Sequence, residues 1–483
     1  MPASWIPGRR LRAGGPFLLT AAAVVWYLAW EVAHRGVYGY LQSVYPIDPA
    51  DEWRYTACSR LVGHGYQLFN QVFSAQPPLL FLSLAGGMRI AGDSITGARF
   101  AEVTFGLVTL ISAAVLAWVL GGRWTAAVTA VLLAVSPGFL VYAHTVEAEG
   151  PMMALATLSL ALAALTRTRG AYVAAPAGLA LAAAVLMKLF AVEAVLPASW
   201  LIVTGSSSST GRWRVLGAFF ACAATPVALN FALVSPLHQW QQVVSLHDRA
   251  ASLALPGLLP PADIVRRYVE MDIGLTALCV AGLIALALAA RWRLLVFAGL
   301  WLGGTLVMLL LFRPLFPHHA AILEAPLALT AGLGFCAVWA AGGGAWRPAA
   351  LATLAGVLLY LVALPHLAEA DRHVLMPVDR SPVYTLARFV DARTPAGSFA
   401  ALDNLEVADA ARRLVPPPLC DPSNVRRLAG YLTASDLIGA TRRYRPALVL
   451  SQGIYTQVPD YLAWLRTHYR PVRAPAGVAF APR

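Results

Sequence analysis

Lysine is nearly absent. Lys188 is the single lysine among 36 basic residues, and the rest are arginine. Acids are also scarce, at 24 in 483, and only 12% of the chain is charged, about half the usual share for a soluble domain. A soluble globular protein is thereby excluded. The net charge of +12 comes without the aromatic-basic interleaving of nucleic-acid binders, so a nucleic-acid partner is not implied. Five cysteines (58, 222, 279, 336, 420) show no CxxC spacing, which removes zinc-ribbon and thioredoxin-like readings. Cys58 and Cys420 could pair outside the cell, but unpaired cysteines are the expectation. Gly342-Gly343-Gly344 lacks a following GKS/T, so it reads as a turn and not a phosphate loop. No internal repeat is evident, which argues against a secondary transporter, although a transporter or flippase is the alternative reading.

What the chain has in abundance is apolar runs: 59% of it is hydrophobic. Runs near 15–34, 98–120, 124–142, 150–166, 171–187, 189–204, 214–234, 273–290, 294–312, 320–340 and 348–366 approach bilayer thickness. Arginines mark alternate connections: Arg9, Arg10 and Arg12, then Arg123, Arg167 and Arg169, Arg212 and Arg214, Arg291 and Arg293, and Arg347. That alternation predicts a cytoplasmic N-terminus and an extracytoplasmic C-terminus. Pro77–Ala91 is apolar but short and opens on two prolines, so it reads as a juxtamembrane or half-inserted helix. The expected fold is an all-α polytopic membrane protein of about 11–13 transmembrane helices over residues 1–366. Its first extracytoplasmic loop covers about 35–96, and a small extracytoplasmic α/β domain covers 367–483.

Unusual polar residues gather in the outward connections. Asp51 and Glu52 follow the first span and precede Gln76-Pro77-Pro78. His144, Glu147 and Glu149 come next, then Lys188, then Trp240 and His247, and finally Arg313, His318 and His319. Dehydrating carboxylates beside a bilayer costs free energy. Acids and cations at one face suit glycosyl transfer from a lipid-linked sugar phosphate. A phosphate leaving group needs little protonation, so one general base suffices, while cations stabilise the departing charge.

Asp51-Glu52-Trp53-Arg54-Tyr55, Gly65-Tyr66, Gln76-Pro77-Pro78-Leu79 and Ala98-Arg99-Phe100 together resemble the first extracytoplasmic loop of GT-C glycosyltransferases. The resemblance is to the protein O-mannosyltransferases and the lipid A aminoarabinose transferase. It implies an inverting enzyme that takes a sugar from a polyprenyl-phosphate donor to a lipid, glycan or protein acceptor among membrane lipids of the cell envelope. It places the proposed base on Asp51 and the second-loop acid on Glu149, with Glu147 as the other register. It also matches Lys188 to the lysine of a middle span and His318-His319 to the histidine-rich turn. Two departures stand out. Gln76 replaces a frequent Lys or His, and Glu149 replaces an Asp.

The catalytic candidates are therefore Asp51, Glu52 and Glu149. Donor-phosphate candidates are Lys188, Arg313, His318, His319 and Gln76. Trp240 and His247 are candidates for acceptor or sugar contact. Each has a plainer alternative: Glu52 caps a helix, Lys188 and Arg313 snorkel, Trp240 anchors at the interface, and His247 sits in a solvated turn. Glu31 and Glu324 read as paired structural acids. No cofactor is certain. A divalent metal at His318 and His319 with Glu149 or Asp51 is left open, since HExxH spacing is absent.

Overall fold

The computed structural model describes residues 14–34, 49–205, 209–253, 258–340, 346–374 and 379–483. Arg9, Arg10 and Arg12, which mark the expected cytoplasmic N-terminus, and the expected Gly342–Gly344 turn lie outside them.

The apolar runs fold as helices: α1 (Gly15–His34), α2 (Pro49–Gly63), α3 (Pro78–Ala91), α4 (Ile95–Gly121), α5 (Arg123–Val135), α6 (Pro137–His144), α7 (Glu149–Arg169), α8 (Ala174–Met187), α9 (Val195–Gly205) and α10 (Ser209–Leu233), with others named by range. Among the described residues, six helices are long and apolar enough to cross a membrane: Gly15–His34, Ile95–Gly121, Glu149–Arg169, Gly211–Leu233, Trp292–Leu311 and Pro317–Val338. Two further pairs are apolar enough together but sharply bent, α5 with α6 at 68° and Pro261–Met271 with Ile273–Leu288 at 93°, the geometry of a broken span or a re-entrant loop. The other three expected spans fall on shorter apolar helices, Ala174–Met187, Leu189–Gly205 and Thr353–Pro365. This is a multi-pass membrane protein.

Proline sets where many of these helices begin. Pro78, Pro137, Pro236, Pro261 and Pro317 each open a helical segment, where a missing N–H costs nothing. α3 lies tightly on α4, because a Cβ at Gly87 would come within 2.6 Å of the Gly97 carbonyl oxygen; small residues let membrane helices approach this closely.

Two expectations change here. Asp51 and Glu52 lie in the first turn of α2, not in a loop. The last apolar helix runs on from Trp346 to Val374, past the expected boundary between residues 366 and 367.

The tail holds a four-stranded sheet of order β1-β2-β4-β3, with β1 Ala400–Leu402, β2 Leu448–Ser451, β3 Tyr469–Val472 and β4 Val478–Pro482. β1 and β2 run parallel, in register Ala401 to Val449, and the other pairs are antiparallel. Helices at Ser381–Asp391, Ala434–Tyr444 and Pro459–His468 accompany the sheet.

The tail locks onto α2. Cys58 and Cys420 form a disulfide, 362 residues apart in sequence, which corrects the expectation of free thiols. They meet only because the tail folds back over the first connection. Arg60 pairs with Asp93 at 2.6 Å and with Asp409 of the tail; despite burial of the guanidinium, these acids raise its pKa. The Arg426 guanidinium stacks 3.7 Å over the Phe73 ring. Closing so long a loop constrains the unfolded chain, so Cys58→Ser or Cys420→Ser should lower stability by about 2–4 kcal/mol. Thermal unfolding of the purified protein checks this; unchanged unfolding in both variants would count against the bridge.

Candidate functional site

A cavity of about 990 Å³ lies between α2, the connection that leads to α3, the Phe312–His319 segment and the tail. Asp51, Arg54, Gln76, His247, His319 and Asp421 line it, together with Trp53, Tyr55, Phe73 and Phe316. The tail adds Asp403, Asn404, Gln452 and Gln457. Asp403 holds its loop by accepting from Ser451 Oγ at 2.6 Å and from the amides of Gln452, Gly453 and Tyr455 at 2.7, 3.1 and 3.0 Å.

Asp51 is 15% exposed and salt-bridged to Arg54, one helical turn on. Arg54 also reaches Asp421 Oδ1 of the tail at 3.8 Å. The other Asp51 oxygen faces His318 Nε2 at 3.6 Å. Behind this wall Lys188 donates to Glu149 Oε1, and the same oxygen lies 3.9 Å from His318 Nε2 and 3.7 Å from His319 Nε2. Lys188, at the break between α8 and the following 3₁₀ turn, is 4% exposed and Glu149 is 1% exposed. The sequence candidates Asp51, Glu149, Lys188, His318 and His319 thus meet in one place.

The remaining candidates are placed otherwise. Glu52 faces away from the cavity wall. Arg99 Nε donates to its Oε1 at 2.7 Å and Nη2 to its Oε2 at 2.8 Å, while the Val146 amide donates to Oε1 at 3.2 Å. Arg99 continues to His144 at 3.2 Å, and His144 to Glu31 at 2.7 Å. Both Glu52 oxygens are thus engaged by Arg99, away from the Asp51 cluster. Trp240 is 56% exposed and absent from the cavity wall. Arg313 is exposed between Phe312 and Pro314, which line the cavity while it does not. Gln76 is on the wall, donating from Nε2 to the Tyr55 hydroxyl at 3.2 Å. Burial and the neighbouring Asp51 charge push the Tyr55 pKa well up, so that phenol stays neutral. His247 is on the wall too. Burial above all, with the Lys188 charge adding to it, lowers its pKa, which keeps the imidazole neutral near pH 7.

Arg54, Glu147 and Asp421 were undervalued by sequence. For Asp421, the adjacent Cys420 was the available signal.

Among the described residues two sets could hold a metal ion, Glu149 with His318 and His319, and Asp51 with Glu147 and His318; the ligand atoms of each set lie within 4.8 Å of one another. In the first set the Lys188 ammonium already sits on Glu149 Oε1. The second, two carboxylates and an imidazole, suits a divalent ion.

A model of the dolichyl-phosphate-mannose-protein mannosyltransferase family matches residues 75–240. No curated protein sequence matches the chain. Among solved structures, ArnT from Cupriavidus metallidurans bound to undecaprenyl phosphate superposes with a TM-score of 0.59 at 16% identity, over 97% of this chain and 98% of that one. The chain has the fold of the GT-C membrane glycosyltransferases. AglB from Archaeoglobus fulgidus, in complex with an inhibitory peptide and a dolichol phosphate, gives 0.56 at 12% identity, over 97% of this chain and 74% of that one. The oligosaccharyltransferase of the same organism in complex with Zn and sulfate gives 0.53 at 12% identity, over 96% and 73%.

The chain buries the Glu52–Arg99 pair at 2% and 3% exposure. Arg99→Ala should therefore cost about 3–5 kcal/mol by leaving an uncompensated carboxylate. Glu52→Gln with Arg99→Met should recover part of the loss. Unfolding midpoints report both, and a harmless Arg99→Ala would refute the pairing.

Proposed function

We propose that the chain is an inverting glycosyltransferase that moves a sugar from a polyprenyl-phosphate donor to an acceptor hydroxyl at the outer face of the cell membrane. The observation that carries this reading is Asp51. It is a partly exposed carboxylate on the wall of a 990 Å³ cavity, set 3.6 Å from the His318 imidazole within a GT-C fold. Orientation follows the arginine pattern, with the N-terminus cytoplasmic and the tail outside. The Cys58–Cys420 bridge supports this, because disulfides persist in oxidising compartments.

In this mechanism Asp51 takes the proton of the acceptor hydroxyl. The acceptor oxygen forms a bond to the anomeric carbon from the face opposite the phosphate. The carbon–oxygen bond to phosphate breaks, and the lipid phosphate leaves with the electron pair. Arg54 orients Asp51. The His318/His319 turn receives the developing negative charge, with Lys188 one layer behind it on Glu149; preorganised donors and charges of this kind are a large source of rate. Arg313, exposed beside Phe312, meets the headgroup as it arrives. His247 and the tail amides face the acceptor.

If a divalent ion is bound, Asp51, Glu147 and His318 would hold it, and it would add fixed positive charge beside the leaving phosphate.

Asp51→Asn should lower turnover by about 10²–10⁴-fold while leaving expression and polyprenyl-phosphate binding intact. Purified protein in nanodiscs with a polyprenyl-phosphate sugar tests this, and near-normal turnover would reject Asp51 as the base. Chelation by EDTA should reduce both activity and thermal stability, with manganese or zinc restoring them. Indifference of both readouts would remove the metal and leave the charge to Lys188 and the histidines.

A further inference from the structure

Three breaks in the helical scaffold meet at one buried point. α5 passes into α6 at Ser136, and Pro261–Met271 passes into Ile273–Leu288 at Asp272. The Pro317–Leu323 turn, which carries His318 and His319, passes into the Glu324–Ala340 helix at Glu324. Ser136, Asp272 and Glu324 are 3%, 2% and 0% exposed. Ser136 Oγ lies 2.8 Å from Asp272 Oδ2 and 2.5 Å from Glu324 Oε2. The Tyr268 hydroxyl donates to Glu324 Oε1 at 2.5 Å, and the Leu275 amide donates to Asp272 Oδ1 at 3.2 Å. The space is full: a Cβ on Gly138 would stand 2.7 Å from the Tyr268 oxygen.

The protons can be counted. A serine hydroxyl has one hydrogen, yet Ser136 is in hydrogen-bond contact with two carboxyl groups. One contact therefore needs a proton from an acid. Asp272 accepts at both oxygens and caps the N-terminus of Ile273–Leu288, where the peptide dipoles favour negative charge. It takes the Ser136 hydrogen. Glu324 Oε2 then faces a serine oxygen with no hydrogen left to give. Among the described residues no Lys, Arg or His pairs with either acid, and two uncompensated carboxylates sharing one hydroxyl in an apolar layer repel strongly.

We propose that Glu324 is a neutral carboxylic acid donating to Ser136, and that the junction of Ser136, Asp272, Glu324 and Tyr268 is a positioning device that sets the His318/His319 turn and α6 against Asp51. The titratable groups facing Glu324 are Tyr142, Tyr268 and Asp272. The catalytic arm of the test rests on the glycosyl-transfer reading; the other arms do not.

Glutamine reproduces a neutral acid, with one donor and one acceptor. Asparagine does not reproduce a carboxylate that accepts at both oxygens. Glu324→Gln should keep the unfolding temperature and keep turnover within about threefold of the unmodified protein. Asp272→Asn and Glu324→Ala should lower both, with turnover falling more than about tenfold. At neutral pH the infrared spectrum of the intact protein should contain a protonated-carboxyl stretch that Glu324→Gln removes. The reverse asymmetry would place the proton on Asp272 and overturn the assignment, and equal damage from both amides, or no change in the infrared band, would overturn it as well. The spectrum and unfolding judge the junction even if no sugar transfer is found. An active Asp51→Asn variant would sink the catalytic reading alone.

Discussion

A carboxylate removed from water in a membrane protein must be matched by a cation or by a proton, and this requirement organises the end of the molecule that holds the cavity. Glu52 is matched by Arg99, Glu149 by Lys188 and Glu31 by His144. Each of these acids is sealed at 3% exposure or less. Asp51 is the exception among them, because it is paired with Arg54 yet remains 15% exposed on a cavity wall. Its ion pair is open to competition from a substrate, whereas the sealed pairs are not. Reactivity is assigned to Asp51 on that contrast, and the sealed pairs hold the frame that aims it.

The tail completes the cavity as well as covering it. Asp421 reaches Arg54, so the residue that orients the proposed base is itself held from the tail. The neighbouring Cys420 is bridged to Cys58, two helical turns beyond Asp51. Arg60 ties the same helix to Asp409. α2 is thus clamped along its length, which fixes the direction of Asp51 with little residual freedom. Small losses of alignment at a reacting centre are costly, so the clamp serves chemistry as well as stability.

The helical framework was legible in sequence because a bilayer demands long apolar runs, and the acids were legible because so few exist. Pairings were not. Nothing local links Cys58 to Cys420, or Lys188 to Glu149, since each contact is made by folding over distance. Ser136 and Asp272 hide inside runs that read as straight spans or connections, although Pro137 marked the first break. β3 carries Pro471 and is too short to show alternation, and proline weakens a strand reading. Trp240 and Arg313 were chosen by residue type, and type alone does not say which way a side chain faces. Gly138 would have read as a membrane-helix glycine, whereas its lack of a Cβ makes room for Glu324 and Tyr268.

Gln76 has a consequence for how leaving-group charge is managed. At this wall an amide donates to a neutral, buried phenol. That wall therefore supplies no positive charge to a departing phosphate. Arg54 is committed to Asp51 and Asp421, and His247 is driven toward its neutral form. The charge must then come from the opposite side, where Lys188 stands behind the histidine turn and the nearby carboxylates suit a divalent ion. Loss of a cation at one wall and the placing of Lys188 behind the other are two halves of one electrostatic arrangement. It also explains why the turn's exact placement, set by the junction behind Glu324, should matter more here than in a chain with a lysine at the Gln76 position.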